Sequence, residues 1–366
     1  MIIVRGCSVT AKAQHDCEKA IARLRREHAG AQIIAIGCLP DAIDGLKAVN
    51  AFDLPGPVPM STSRGYIKIQ DGCNGRCAFC IVPRFRNKLA SVPFEDVIAR
   101  AQAFLAAGFR ELVVTGCNLA LYRDGKRDLA DLLAALAELP PPKSAGAVPA
   151  GLTGNELLTA PGVTHRIRIG SVEPGLNEEK LIETLASHEN ICRFIHLSLQ
   201  SGSNRILKLM NRPYTAEKVE KFCRKARERI GNRCAFGADV ITGFPGETAA
   251  DHEATARFLQ METDGVPVFS NLHVFPYSER PGTPAATFPC SVPVNLRRER
   301  AGELEKIGRT NRNRFISMFD GQDVVVCIEK DGNGWTGEYL RVDAPTGLPR
   351  RSLQRLRFSA HGPSQP

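Results

Sequence analysis

The chain has 366 residues, enough for one large domain with small flanking ones, and its hydrophobic content of 43% is ordinary for a globular protein. It contains no run of about eighteen apolar residues, so we predict no segment that spans a membrane. The formal net charge of +9 favours a polyanionic partner such as RNA without requiring one.

The chain is rich in cysteine, with 12 residues of this type. Residues 1–6 lack the basic, apolar and small-residue order of a signal peptide, so we expect a cytoplasmic protein whose thiols stay reduced. Clustered cysteines are then metal ligands or catalysts, and five have such an interpretation: Cys7, Cys38, Cys73, Cys77 and Cys80. We expect the other seven to be small buried apolar side chains: Cys17, Cys117, Cys192, Cys223, Cys234, Cys290 and Cys327.

Residues 1–60 begin with a predicted α/β unit. A strand at Ile2–Val4 leads to Cys7, a helix over Ala11–Arg26 has apolar residues at helical spacing, and a second strand at Gln32–Ile36 leads to Cys38. If the two strands are parallel, both cysteines lie at the same edge of a sheet. A second metal site there is one interpretation, and a purely structural role for both thiols is the other.

The most informative stretch is the loop that follows a short apolar run at Tyr66–Gln70. Cys73, Cys77 and Cys80 fall within eight residues of a loop that also contains two glycines. Three such thiolates hold an iron–sulfur cubane with one iron left open. The alternative is a zinc site or unligated thiols, but a structural zinc site needs a fourth ligand and none stands nearby in the sequence.

Residues 61–294 alternate short apolar strands with amphipathic helices, which predicts repeated strand–helix units around a parallel sheet. The predicted strands are Tyr66–Gln70, Glu111–Thr115, Arg166–Ile169, Phe194–Ser198, Ala235–Ile241 and Asn271–Phe275. In such sheets the chemistry gathers beyond the carboxyl ends of the strands. Polar or glycine-containing turns follow there, and each turn taken alone is equally well explained as a simple turn or helix cap.

We predict a long basic linking helix at residues 295–319 and a small β module at residues 320–366. We expect this module to contain a strand over Val324–Glu329, a turn at Gly332–Gly334, a strand over Trp335–Val342 and a basic segment at Arg350–Arg357. The basic residues of the helix are explained equally well by a solvated surface and by contact with RNA. For the basic segment we favour phosphate contact, with the aromatic residue available for base stacking. Residues 140–161 are rich in Pro, Gly and Ala and predict a surface insertion.

The C-x-x-x-C-x-x-C spacing with Phe79 before the last cysteine resembles the signature loop of the radical S-adenosylmethionine (SAM) enzymes. Together with His196–Ser203, Leu207–Thr215, Asp239–Thr248 and His273–Thr283, it resembles the methylthiotransferase branch over about residues 60–345. This resemblance implies an α/β fold: a partial (β/α)6 barrel, a reduced N-terminal α/β domain and a C-terminal module like the RNA-binding TRAM domain.

The resemblance also implies the cofactors and their ligands. Cys73, Cys77 and Cys80 would hold a 4Fe–4S cluster that cleaves SAM to a radical, and Cys7 and Cys38 would serve an auxiliary cluster. In the family another strand, helix and cysteine normally precede the position where this chain starts. Either the start is misassigned, or the domain is reduced and its cluster is incomplete, labile or completed by another group such as Cys17. SAM contacts are implied for Phe79, Thr115, Gly116, Asn118, Ser171, Glu173, Gln200, Asp239 and Pro276.

Within the branch, the residues around Glu173, the run ending in Gln200 and His273–Ser278 most resemble the type that methylthiolates C2 of N6-threonylcarbamoyladenosine at position 37 of tRNA. The implied partners are an adenosine in a tRNA anticodon loop, an electron donor and a sulfur source. Three alternatives stay open: the isopentenyladenosine type, a ribosomal-protein substrate, and a catalytically silent RNA-binding relative.

Overall fold

The computed structural model describes residues 2–7, 11–38, 42–43, 46–49, 63–140, 164–175, 178–330 and 332–360. The predicted linker at Leu54–Pro59 and nearly all of the predicted insertion after Pro140 lie outside these ranges. Within them, every helix is too short or too polar to cross a bilayer.

The N-terminal residues form a small sheet packed on one helix. Its elements are β1 (Ile2–Cys7), α1 (Ala11–Glu27), β2 (Ile33–Cys38), β3 (Ala42–Ile43) and β4 (Leu46–Val49). The strands β1 and β2 pair in parallel, with Cys7 opposite Cys38. The prediction that both cysteines end neighbouring parallel strands is therefore confirmed. Cys17 on α1 packs in the small core of this unit with Val4, Ile21 and Ala35.

The central region contains the predicted alternation of strands and helices. Its elements are β5 (Gly65–Asp71), α2 (Val82–Phe85), β6 (Ala90–Ser91), α3 (Phe94–Ala106), β7 (Glu111–Gly116), β8 (Arg123–Asp124), β9 (Arg127–Asp128), α4 (Leu129–Ala137), β10 (Arg166–Ile169), α5 (Glu178–Ser187), β11 (Phe194–Gln200), α6 (Asn204–Leu209), α7 (Ala216–Ile230), β12 (Ala235–Thr242), α8 (Ala249–Leu259), β13 (Glu262–Thr263), β14 (Val266–Pro267) and β15 (Phe269–Pro276).

All six predicted strands are confirmed, as β5, β7, β10, β11, β12 and β15. They form two sheets of parallel strands, one in the order β10–β7–β5 with β6 at its edge, the other in the order β11–β12–β15. A bridge between Val172 and Leu197 joins the sheets. Ile67, Val114, Ile169, Leu197 and the helix faces form the main hydrophobic core, which leaves alternate strand residues to form a more polar opposite face.

The C-terminal region contains the predicted long helix and β module. Its elements are α9 (Val294–Ser317), β16 (Asp323–Ile328), β17 (Asn333–Thr336), β18 (Arg341–Asp343) and β19 (Leu353–Arg357). The single strand expected over Trp335–Val342 was wrong, because a turn containing Tyr339 at φ 66° divides it into β17 and β18. The expectation of a glycine turn was also wrong at Gly334, which lies inside β17.

The basic residues of α9 are not all solvated. Arg297, Arg300 and Arg312 are buried. Arg297 donates to the carbonyls of Val292 and Tyr277, and Arg300 pairs with Glu247 at 2.6 Å. Arg297 and Arg300 thus hold loops of the central region against the helix, whereas Arg312 donates to the carbonyl of Tyr339 in the C-terminal module. The exposed cations of α9 are Arg298, Lys306, Arg309 and Arg314.

A buried charge network attaches the C-terminal module to the strands. Glu111 on β7 lies between Arg166 and Arg168 on β10, at 2.5 and 2.7 Å. Burial raises the pKa of Glu111, but the two guanidinium groups outweigh it and hold the pKa at about 2. Arg166 also donates to the carbonyl of Trp335, and Arg168 to that of Thr336. The module is therefore fixed to the polar face by charge-assisted hydrogen bonds.

Candidate active site

The cysteine loop leaves the carboxyl end of β5 in a conformation that requires glycine. Gly72 has φ +74°, and a Cβ there would lie 2.0 Å from the carbonyl oxygen of Lys88. A Cβ on Gly75 would lie 3.1 Å from the Cys73 sulfur and 3.8 Å from the Cys77 sulfur. The Gly75 amide donates to the Cys73 sulfur at 3.3 Å. The loop thus gathers its thiols around a position where a side chain would intrude.

The thiols of this loop are partly buried, and for Cys77 and Cys80 this burial favours the neutral form in the absence of a metal. Burial raises the pKa of Cys80 to about 11. Burial also raises the pKa of Cys77, although Arg212 opposes the shift by donating to its sulfur at 3.0 Å. A bound cation would reverse this preference, because metal-bound cysteines are thiolates.

Asp71, just before the first cysteine, anchors the base of the loop. Its carboxylate pairs with Arg86 at 2.5 Å and with Lys68 at 3.0 Å. Burial raises the pKa of Asp71, but the hydrogen bonds from Arg86, Cys117 and Lys68 outweigh it and hold the pKa below its usual range. The thiol of Cys117 donates to the same carboxylate at 3.2 Å. The expectation that Cys117 is merely a buried apolar residue was therefore wrong, as it was for the exposed Cys290.

Gln70 connects the cysteine loop to the turn after β7. Its buried side-chain NH2 group donates to the backbone carbonyls of Asp71 and Gly72. Its side-chain oxygen accepts from the backbone N–H of Asn118. Gly116 is the neighbour that permits this contact, because a Cβ there would lie 3.0 Å from the Gln70 backbone oxygen. Thr115, the other predicted residue of this turn, is half-buried in β7.

Arg212 connects the cysteine loop to the turn after β10 and to β11, and the sequence motifs gave no indication of this role. Besides contacting Cys77, its guanidinium pairs with Glu173 at 3.0 Å and donates to the carbonyl of Ser198. The Asn118 amide donates to the other oxygen of Glu173 at 2.5 Å. The structure thus brings the predicted residues Asn118 and Glu173 into one network with the cysteine loop. The sequence places Arg212 in a motif after the fourth strand, but it does not show which groups the side chain contacts.

The structure shows no contact between the remaining predicted residues and this network within the described part of the chain. Phe79 is half-buried and packs, like Ile241, against a small apolar cluster that contains Phe244. Gln200 ends β11 with φ 69°. Ser171 and Pro276 are exposed at the ends of β10 and β15.

Asp239 lies on β12 between two histidines. His196 approaches its carboxylate at 3.0 Å and His273 at 3.3 Å. Burial raises the pKa of Asp239, but the hydrogen bonds from these two imidazoles outweigh it and hold the pKa at about 2. Neither histidine was singled out as a site residue, because only the register of β11, β12 and β15 brings the three together.

The comparisons with known proteins agree with this arrangement. Residues 67–259 match the family model described as the radical SAM superfamily. The chain is 35% identical to the threonylcarbamoyladenosine tRNA methylthiotransferase MtaB of Rickettsia prowazekii, over 76% of this chain and 61% of the relative. It is 32% identical to the MtaB of Chlamydia pneumoniae, over 90% of this chain and 78% of the relative.

A relative of a different type, the tRNA-2-methylthio-N(6)-dimethylallyladenosine synthase of Chlorobium chlorochromatii, is 34% identical over 80% of this chain and 59% of its own length. The chain thus spans less than two thirds of the Rickettsia and Chlorobium relatives. The family-model match covers more than half of the chain, and the Chlamydia relative is spanned for most of its length. The chain belongs to the radical SAM superfamily and, within it, to the methylthiotransferase family.

Proposed function

We propose that this protein is a radical SAM enzyme that methylthiolates C2 of N6-threonylcarbamoyladenosine at position 37 of tRNA. The observation that carries the chemistry is the network in which Arg212 connects Cys77 to Glu173 and Ser198. It supports a cofactor site made jointly by the cysteine loop and the loops after the neighbouring strands. The substrate is inferred from the relatives whose names specify threonylcarbamoyladenosine in tRNA.

The donor set fits a 4Fe–4S cluster with one open iron. Cys73, Cys77 and Cys80 supply three sulfurs from one loop, and the room beside Gly75 is needed for the sulfurs themselves. When bound, the cluster supplies the electron that cleaves SAM to a radical able to abstract hydrogen from a carbon with no acidic proton. Among the residues, Arg212 offsets the negative charge of the thiolates, and Glu173 and Asn118 offer polar atoms to a ribose or amino group.

The same proposal assigns the architecture. The six parallel strands would be a partial (β/α)6 barrel within residues 61–294, preceded by an N-terminal domain at 1–60. Residues 295–319 would be the linking helix and 320–366 a TRAM-like RNA-binding module. Exposed arginines on β19, an edge strand, support phosphate contact by this module. The stacking role expected of Trp335 is less well supported, because its ring stacks on Tyr339 at 4.7 Å.

Sulfur delivery would require the second site at the paired strand ends of Cys7 and Cys38. Because Cys17 packs in the apolar core of that unit, we favour a third ligand other than Cys17. An electron donor and a sulfur source complete the proposed set of partners, and a tRNA substrate implies a cytoplasmic enzyme.

Two measurements test the proposal. Mass spectrometry of tRNA nucleosides from a strain lacking the gene should show loss of the methylthio group from threonylcarbamoyladenosine. Loss from isopentenyladenosine instead would identify the other tRNA type, and unchanged tRNA would favour a ribosomal-protein substrate or a silent relative.

Iron analysis after anaerobic reconstitution separates the clusters, because one cluster gives about four irons per chain and two give about eight. Replacing Cys7 and Cys38 by alanine should remove only the auxiliary cluster. Replacing Cys73, Cys77 and Cys80 should abolish the production of deoxyadenosine from SAM. Protein that binds zinc alone and produces no deoxyadenosine would refute the proposal.

A further inference from the structure

A second group of metal-ligand side chains lies on the strands, apart from the cysteine loop. His196 on β11, Asp239 on β12 and His273 on β15 offer donor atoms that all lie within 4.8 Å of one another. His196 Nε2 is 3.0 Å and His273 Nδ1 is 3.3 Å from the same Asp239 oxygen. We call these three residues the His–Asp–His cluster.

The register of the strands builds this cluster. Asp239 stands directly opposite His273 in the pairing of β12 with β15, and His196 stands opposite Gly237. A Cβ on Gly237 would lie 2.3 Å from His196 Nδ1. The absence of a side chain at this position therefore lets the imidazole of His196 lie across β12 toward Asp239.

We propose that the His–Asp–His cluster binds a divalent transition-metal ion of the Zn²⁺ or Fe²⁺ class. Two imidazoles and one carboxylate are a common ligand set for these ions. Bonds of about 2.0–2.1 Å in tetrahedral geometry put the donors roughly 3.3 Å apart. The two distances to Asp239, 3.0 and 3.3 Å, already match this spacing.

The third edge of the ligand triangle, between the two imidazoles, closes by a rotation of His273. Its side chain is 50% exposed, whereas that of His196 is 8% exposed, so His273 is the ligand with room to move away from the ring contact of 4.8 Å that it makes with His196. Binding requires the nitrogen of each imidazole that faces Asp239 to be unprotonated, so each ring must carry its proton on the other nitrogen.

The exposure of the cluster also decides what kind of metal site it is. A structural zinc site is closed by four protein ligands, whereas three protein ligands leave a position open. The exposed side of His273 leaves that position accessible from solvent. His196 lies two residues before Ser198, whose carbonyl accepts from Arg212 in the cysteine-loop network. The ion would therefore hold an exchangeable ligand close to the cysteine loop without sharing its ligands.

Cobalt binding to the full-length chain tests this inference. The starting protein carries Cys7→Ser, Cys38→Ser, Cys73→Ser, Cys77→Ser and Cys80→Ser, so that neither proposed cysteine site competes for metal. We expect one equivalent of Co²⁺ to give visible d–d bands without a thiolate-to-cobalt charge-transfer band. Asp239→Asn or His273→Asn should weaken binding by at least the roughly 10–100-fold that loss of an outer-shell partner costs.

The matched control is His252→Asn, which removes an imidazole that pairs with Glu303 at 2.6 Å outside the cluster. It should leave Co²⁺ affinity unchanged. His273 is the most exposed of the three ligands, so His273→Asn should fold even if substitution of buried His196 does not. Absence of nitrogen- and oxygen-type bands, or equal affinity in the His273→Asn variant and its parent, would overturn the inference. The test uses protein without the cluster cysteines, so it does not depend on the proposed enzymatic activity.

Discussion

The contact between Arg212 and Glu173 should be one of the strongest single couplings in the apoprotein. Their side chains are 6% and 15% exposed and lie 3.0 Å apart. Replacing Arg212 by Met removes the cation that pairs with the buried Glu173 carboxylate. The hydrogen bond from the uncharged side chain of Asn118 remains. Breaking a buried ion pair by removing one partner costs about 3–5 kcal/mol. We expect Arg212→Met to lower the free energy of unfolding by about 3 kcal/mol.

A double-mutant cycle separates this coupling from simple loss of packing. Adding Glu173→Gln to Arg212→Met removes the uncompensated charge, so the double variant should be more stable than the sum of the single losses by at least about 1 kcal/mol. Urea unfolding of metal-free protein, followed by circular dichroism, measures all four corners. The exposed pair of Arg257 and Glu253 provides the control cycle, with an expected coupling of about 0.3–0.5 kcal/mol. Additive losses at Arg212 and Glu173 would refute the reasoning.

Three further predictions follow from other contacts. In reconstituted protein, Arg212→Met should shift the reduction midpoint of the cluster to a more negative potential, because a hydrogen bond to sulfur favours the reduced state; a redox titration followed by electron paramagnetic resonance measures it. Glu111 has a pKa of about 2 in the folded protein against an ordinary value of 4.5, so its stabilisation is complete above that value and is lost as the pH falls toward 2. Urea midpoints between pH 6 and 3 should therefore fall less steeply in Glu111→Gln than in the parent, and equal slopes would contradict this. Replacing Arg355 and Arg357 by alanine should weaken tRNA binding and reduce its salt dependence by about one unit per lost phosphate contact, whereas Arg224→Ala should change neither.

The six central strands were predictable because each is a short apolar run and local periodicity determines where it begins and ends. The cysteine loop was predictable because its donors are close in sequence. The polar partners of these elements were not predictable in the same way. The Arg-Ile-Arg-Ile sequence of β10 resembles a strand with one solvated face, yet Arg166 and Arg168 are buried around Glu111. Only the pairing of β10 with β7 supplies the carboxylate that makes such burial tolerable.

The same limit explains the errors at the C-terminal end. The local sequence of a basic helix does not distinguish a solvated arginine from a buried one that donates to protein oxygens. Arg297 and Arg300 are buried and donate in this way. The turn at Tyr339 was missed because a non-glycine residue at positive φ is rare. Its ring stacks between Phe194 and Trp335, at 4.8 and 4.7 Å, and this packing holds the backbone in that conformation.

The charged groups of the polar face are of two kinds. Some stabilise the fold, and others are placed to contact a metal or cofactor. Glu111, Arg166 and Arg168 are almost fully buried, and their hydrogen bonds go to one another and to backbone carbonyls of the C-terminal module. Arg212, by contrast, donates to a cysteine sulfur that a cluster would use, and His273 remains half exposed. A buried group that contacts no proposed ligand of a metal or cofactor can only position its neighbours. We therefore infer that the buried network fixes β16 and β17 of the C-terminal module to the central strands, and that the groups still open to solvent or to a metal contact the ligands.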